Sequence, residues 1–133
     1  MHLEKLHYLD KQQKIEVSEL VNKCLAADGL SRELYLEDDM NLYENLDSFF
    51  LLYEQQQLVS VLTIFQLNEK EAEISGYTLP DKRKKGYFAT LLNAAEEELL
   101  DFDIYHVVFV VEPNSTAGKM AALSFGASYT KSE

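Results

Sequence analysis

The sequence predicts an α/β fold: a central mixed sheet with helices on both faces. Three observations predict it. Residues 73–111 read as strand, proline stop, basic loop, one glycine, helix, then a second apolar strand. A strand-helix-strand unit of this kind is a right-handed crossover between parallel neighbours. Upstream, three strand-like runs between residues 49 and 79 are joined by links of two or three residues. Such links suit antiparallel hairpins. Helical patterns at 10–27, 88–100 and 115–125 interleave with these strands. That arrangement covers the sheet from two sides.

The elements follow in chain order. Ile15, Val17, Leu20, Val21, Cys24 and Leu25 recur near helical spacing, and Gly29 is a helix stop. Ser31 is placed to cap a second helical segment through Leu34, Tyr35 and Leu36, with an acid-rich stretch continuing to about Leu46. Asp47-Ser48 reads as a turn. Residues 49–54 are short and apolar, and residues 57–67 are rich in β-branched and aromatic types; both read as strands. The third strand covers 71–79. Residues 88–100 set Leu91, Leu92, Ala95, Leu99 and Leu100 on one helical face and Glu96-Glu97-Glu98 on the other. The near-continuous apolar run 105–111 predicts a strand buried on both faces. Glu112-Pro113-Asn114 ends it. A helix over 115–125 and a partial strand over 128–133 close the chain.

Composition narrows the function. The chain has 133 residues and 47% hydrophobic content, which fits one globular domain spanning 1–133. Its net charge is -11, with 23 acidic residues. Nucleic acid needs a broad basic face, so it is excluded as a partner. No apolar stretch approaches the roughly 20 residues of a membrane span, and the N-terminus lacks a signal-peptide pattern. Cys24 is the single cysteine, so no internal disulfide forms, and a reducing, cytoplasmic location is the expectation. His2, His7 and His106 are not spaced with Cys or carboxylates as metal ligands would be. No metal is expected.

Against this acidity, Lys82, Arg83, Lys84 and Lys85 stand in a row, four of the 12 basic residues. They precede Gly86 at the start of a helix. A helix N-terminus presents unpaired N–H groups and partial positive charge. A cationic cluster there is unfavourable unless an anion binds. The competing interpretation is a basic turn on a solvated helix start.

Arg83-Lys84-Lys85-Gly86-Tyr87-Phe88 resembles the acetyl-CoA-binding loop of the GNAT superfamily of N-acyltransferases, which reads Arg/Gln-x-x-Gly-x-Gly/Ala. Four positions fit, and Phe88 replaces the small residue. The element order also resembles that family, from its first helices to its sixth strand, so a GNAT-like acyl-CoA N-acyltransferase fold is expected. The resemblance implies acetyl transfer from acetyl-CoA to the amine of a small-molecule or peptide acceptor, by direct attack in a ternary complex. It implies that Arg83, Lys84, Lys85, Gly86, Tyr87, Phe88 and Ala89 cradle the pyrophosphate. Tyr77, Thr78 and Leu79 would hold the pantetheine arm from a splayed strand end and polarise the thioester carbonyl. Asn114, Gly118 and Lys119 would flank its cysteamine end.

Glu73 is the candidate base for the attacking amine, with Glu71 as competitor. The tyrosine that many relatives use as acid is absent, since its position is Ala122; Tyr129 is the substitute candidate. Tyr8, Tyr35, Tyr43, Phe49 and Phe50 are candidates for lining an acceptor cleft. The family continues beyond its sixth strand, whereas this chain stops at Glu133. A homodimer, or a further C-terminal segment, is expected to complete the sheet. Two other functions fit the same features. One is a non-catalytic CoA-binding or sensing module, favoured by Phe88 and the missing tyrosine. The other is a protein-interaction domain with a degenerate site.

Overall fold

The computed structural model describes residues 1–31, 33–37 and 41–110. Among them, five strands form one sheet in the order β1-β2-β3-β4-β5. These are β1 (His2–Leu6), β2 (Phe49–Glu54), β3 (Gln57–Gln66), β4 (Glu71–Thr78) and β5 (His106–Phe109). Helix α1 (Lys11–Asp28) lies between β1 and β2, and α2 (Tyr87–Asp101) between β4 and β5. The first three pairings are antiparallel, and β4 pairs with β5 in parallel. The mixed sheet, its hairpins and the crossover are as the sequence predicts. No helix among the described residues is long and apolar enough to cross a membrane.

Strand β1 is absent from the sequence-based assignment. His2-Leu3-Glu4-Lys5-Leu6 breaks polar-apolar alternation at Glu4-Lys5, and so short a run is ambiguous without its partner. Its antiparallel register against β2 makes it a strand. Three further expectations change. Ser31 and residues 33–37 are irregular rather than helical. Leu100 is exposed although it was placed on the apolar face of α2. β5 runs only His106–Phe109, with an exposed first residue and three half-buried ones, not a strand buried on both faces. The expected helix at 115–125, the strand at 128–133 and any edge it forms lie outside the described residues.

Helix α1 is fixed at both ends. Asp10 caps it by accepting from the Gln13 N–H at 2.8 Å, and the Gln13 side chain accepts from the Asp10 N–H at 2.9 Å. This is a capping box. Gly29 closes the helix in the left-handed region at φ 66, with its N–H donated to the Leu25 carbonyl.

The pleat assigns the two faces. Successive side chains of a strand point to opposite sides. Tyr53 hydrogen-bonds Glu16 of α1, whereas its neighbour Glu54 meets Tyr87 of α2. Cross-strand register then puts Phe49, Leu51, Val61, Thr63, Glu73, Ser75 and Tyr77 on the α1 face. Phe50, Leu62, Ile64, Ile74 and Gly76 lie on the α2 face. From α1, Val17, Leu20, Val21 and Cys24 are buried; from α2, Leu91, Leu92, Ala95 and Leu99 are. Central β3 is covered on both sides, so Leu58 to Ile64 are all buried.

Candidate functional site

The site begins where β4 ends. Odd-numbered residues of β4 direct their N–H and C=O groups to β3, as the Leu79 N–H donated to Val59 O at 3.0 Å shows. Even-numbered residues direct theirs toward β5, as Ile74 O does in accepting from the Val110 N–H at 2.9 Å. That bond is the last between the two strands among the described residues. β4 continues through Ser75, Gly76, Tyr77 and Thr78, which pair with β3 on one flank.

Of Tyr77, Thr78 and Leu79, Tyr77 directs its main-chain groups to β3, as does the Leu79 N–H, whereas the Leu79 carbonyl accepts from the Lys82 N–H at 2.9 Å. The main-chain groups of Gly76 and Thr78 point away from β3, and the Thr78 carbonyl accepts from Arg83 Nε at 3.1 Å and Cys24 Sγ at 3.3 Å. Gly76 is a glycine within a strand, a sequence signal of a bulge or a close approach. Here the close approach is internal. A Cβ at Gly76 would lie 2.4 Å from Phe88 Cε1 and 2.4 Å from Val61 O.

After β4, Pro80–Lys82 form a single 3-10 turn, and the chain then reverses into α2. Lys84 has φ 63 and Gly86 φ 80, so two left-handed residues flank Lys85. For lysine that conformation costs roughly 1–2 kcal/mol. Alternation of left-handed and ordinary residues turns consecutive N–H groups toward one concavity, an anion-binding arrangement. Gly86 is the N-cap of α2 and, having no side chain, supplies no side-chain cap. Lys84, Lys85 and Gly86 are exposed. Among the described residues, neither lysine has a carboxylate within 4 Å.

The other two cations of the run are engaged. Lys82 Nζ donates to Glu54 Oε1 at 2.9 Å, and the Tyr87 hydroxyl donates to Glu54 Oε2. These hydrogen bonds from Tyr87 and Lys82 hold the Glu54 carboxyl below the usual range. Arg83 makes a bidentate pair with Asp28 at 2.9 and 2.7 Å. The sequence placed Arg83 against the pyrophosphate; the fold places its guanidinium against the last residue of α1. Tyr87 is buried, and its side chain points to Glu54 rather than into the loop. Phe88 is half-buried, with its ring on Gly76. Ala89 completes the first turn of α2.

Glu73 lies on the α1 face of β4. It lines a cleft of about 70 Å³ with Glu33, Tyr35, Phe49, Thr63 and Ser75. Among the described residues the Glu73 carboxylate has no hydrogen bond or ion pair, while its main chain pairs with Phe65. Glu71 is occupied: it accepts from Asn68 Nδ2 at 2.9 Å and lies 3.1 Å from His106 Nδ1. Of the five aromatic candidates, Tyr35 and Phe49 reach this cleft. Phe50 is fully buried on the other face, Tyr43 stacks on Phe102 at 5.5 Å, and Tyr8 is exposed beside His7. A wider cleft of about 600 Å³ lies between β1, the start of α1 and the β2–β3 turn. Glu4, Asp10 and Glu16 line it, a poor setting for phosphate. Asn114, Gly118, Lys119 and Tyr129 lie outside the described residues. Among the described residues, no group of three or more His, Cys, Asp or Glu is arranged to hold a metal ion.

Comparison with known proteins agrees with this geometry. The sequence profile of the family described as "Acetyltransferase (GNAT) family" matches residues 15–126. Among curated proteins, no sequence matches the chain significantly. Several solved structures share the fold at low identity. One is a ribosomal-protein-alanine N-acetyltransferase from Brucella melitensis biovar Abortus 2308, with TM-score 0.70 and 16% identity over 100% of this chain and 96% of that one. Another is a predicted acetyltransferase from Clostridium acetobutylicum, solved with acetyl-CoA, with TM-score 0.68 and 18% identity over 98% and 91%. A third is an aminoglycoside acetyltransferase from an uncultured soil metagenomic sample, in complex with sisomicin, with TM-score 0.68 and 15% identity over 99% and 92%.

Proposed function

The chain belongs to the acetyltransferase (GNAT) family, and from that premise we propose that it moves acetyl from acetyl-CoA to an amine by direct attack. The observation that carries the proposal is the loop itself. Left-handed Lys84 and Gly86 flank exposed Lys85, between the end of β4 and a helix start whose N-cap glycine supplies no side-chain cap.

Each part has a physical task. The N–H groups of the loop and of the first turn of α2 receive the pyrophosphate, and Lys84 and Lys85 supply charge-assisted contacts. The Gly76 N–H, which points away from β3, would polarise a thioester carbonyl. A fixed donor of this kind stabilises the developing oxyanion without reorganisation. Glu73 faces the opposite side of the sheet, in the cleft with Tyr35 and Phe49. There it would accept the proton of an incoming amine, directly or through water. The cleft contains Glu33, Glu37 and Glu73, which suits a cationic acceptor. Relatives act on aminoglycosides or on a ribosomal protein by name. We place this chain's acceptor among primary amines.

The test is thiol release from acetyl-CoA over a panel of small amines and peptide N-termini. Release should depend on an amine and rise with pH as the amine loses its proton. Glu73→Gln should lower kcat more than KM for acetyl-CoA. Tight CoA binding with no release on any amine would favour a sensing module instead. A normal rate in Glu73→Gln would remove Glu73 as the base.

A further inference from the structure

Arg83 stands first in the coenzyme loop, yet three of its five N–H donors are already used. Nη1 and Nη2 grip Asp28 at 2.9 and 2.7 Å, and Nε donates to the Thr78 carbonyl at 3.1 Å. A planar guanidinium held at three points has one orientation. Its charge is neutralised at once by a carboxylate whose side chain is only 21% exposed. Swinging Arg83 toward a phosphate would leave that carboxylate uncompensated and remove a donor from Thr78.

The anchor is itself rigid. Asp28 is the last residue of α1, whose ends are set by the Asp10 capping box and the left-handed Gly29. The residue after Arg83 is Lys84, a non-glycine at φ 63. Strained backbone of this kind persists only where its surroundings hold it. The Asp28–Arg83 pair ties the chain immediately before that strain, on one side to α1 and on the other to the end of β4.

We propose that Asp28 is a positioning residue for the coenzyme loop, and that Arg83 transmits its hold instead of binding phosphate. The anion is then met by Lys84, Lys85 and the loop N–H groups. α1, otherwise on the acceptor side of the sheet, sets the shape of the coenzyme side. This rests on the coenzyme-loop reading given under Proposed function.

Two measurements test it. The first is amide hydrogen exchange of residues 84–89 without any coenzyme. Asp28→Asn should accelerate it, while exchange in β3 stays as in the parent protein. Unchanged exchange in the loop would overturn the clamp, whatever the coenzyme reading. The second is calorimetry with CoA at low and high salt. Asp28→Asn should weaken binding about threefold to tenfold, and Arg83→Ala should do the same. The double variant should be no weaker than either one, because both cut the same tie. Arg83→Ala should retain the parent's salt dependence, whereas Lys85→Ala should flatten it. Arg83→Lys keeps the charge but loses the fork, so it should behave like Arg83→Ala. The inference falls if Asp28→Asn binds CoA more tightly, as a released phosphate ligand would. It falls equally if Arg83→Lys retains full affinity. Absence of CoA binding by the parent protein would instead defeat the coenzyme reading, leaving the exchange result to judge the clamp.

Discussion

Gly76 and Gly86 stand ten residues apart and are glycines for opposite reasons. Gly86 has nothing within 4 Å of where its Cβ would be, and φ 80 alone demands glycine. Gly76 has a Cβ position filled by the Phe88 ring and the Val61 carbonyl. Gly86→Ala should therefore cost about 1–2 kcal/mol through backbone strain, in a protein that still folds. Gly76→Ala should cost about 1–3 kcal/mol through overpacking. Adding Phe88→Ala to it should restore only part of that loss, since the Val61 carbonyl remains. Urea unfolding of the three variants measures this; full recovery in the double variant would mean that the ring alone sets the constraint. Gly76 also accounts for Phe88, where the family has a small residue. The strand glycine leaves the space that the large ring fills.

At the scale of elements, the loop between β4 and α2 is held from two sides. Arg83 ties it to α1, and Lys82 and Tyr87 tie it to Glu54 at the end of β2. The Glu54 carboxyl is held below its ordinary value, chiefly by the hydrogen bonds from Tyr87 and Lys82. A depressed acid pKa contributes stability that is present above the unfolded value, near 4.3. That contribution is lost as pH falls through the folded value. Glu54→Gln should therefore be less stable than the parent at neutral pH, with the gap narrowing below about pH 4. Melting curves between pH 3 and 7 check it. A gap that is constant across that range would show that the carboxylate charge is not what holds the turn.

At the scale of the whole molecule, coenzyme seated on the loop would contact both the end of β4 and the start of α2. Binding to the folded state alone stabilises it by about 2.7 kcal/mol at 100 times Kd. CoA should raise the melting temperature, and Lys84→Ala with Lys85→Ala should abolish most of that rise while leaving the ligand-free melt nearly unchanged, since both side chains are exposed. An undiminished shift in that double variant would place the anion elsewhere.

Much of this architecture was legible in the sequence, because it depends on local chemistry. The strands expected at 49–54, 57–67 and 71–79, the helix expected over 88–100 and the crossover between β4 and β5 follow from periodicity, turn residues and short links, and the structure holds each to within a residue. Those are properties of neighbouring residues. The basic loop was legible too, as four cations against an acidic background. The Asp10–Gln13 capping box is likewise a local pattern, but it was found only in the structure. β1 was not legible, because five residues become a strand only when β2 lies beside them. Nor was the division of labour within the loop. Sequence places Lys82, Arg83, Lys84 and Lys85 as equals, and tertiary structure brings Glu54 to the first and Asp28 to the second, from 28 and 55 residues away. The sequence by itself determined that four cations stand in a row at the head of α2. Only the tertiary structure decided which of them are paired, because a charge is available or spent according to the carboxylates that folding brings within reach.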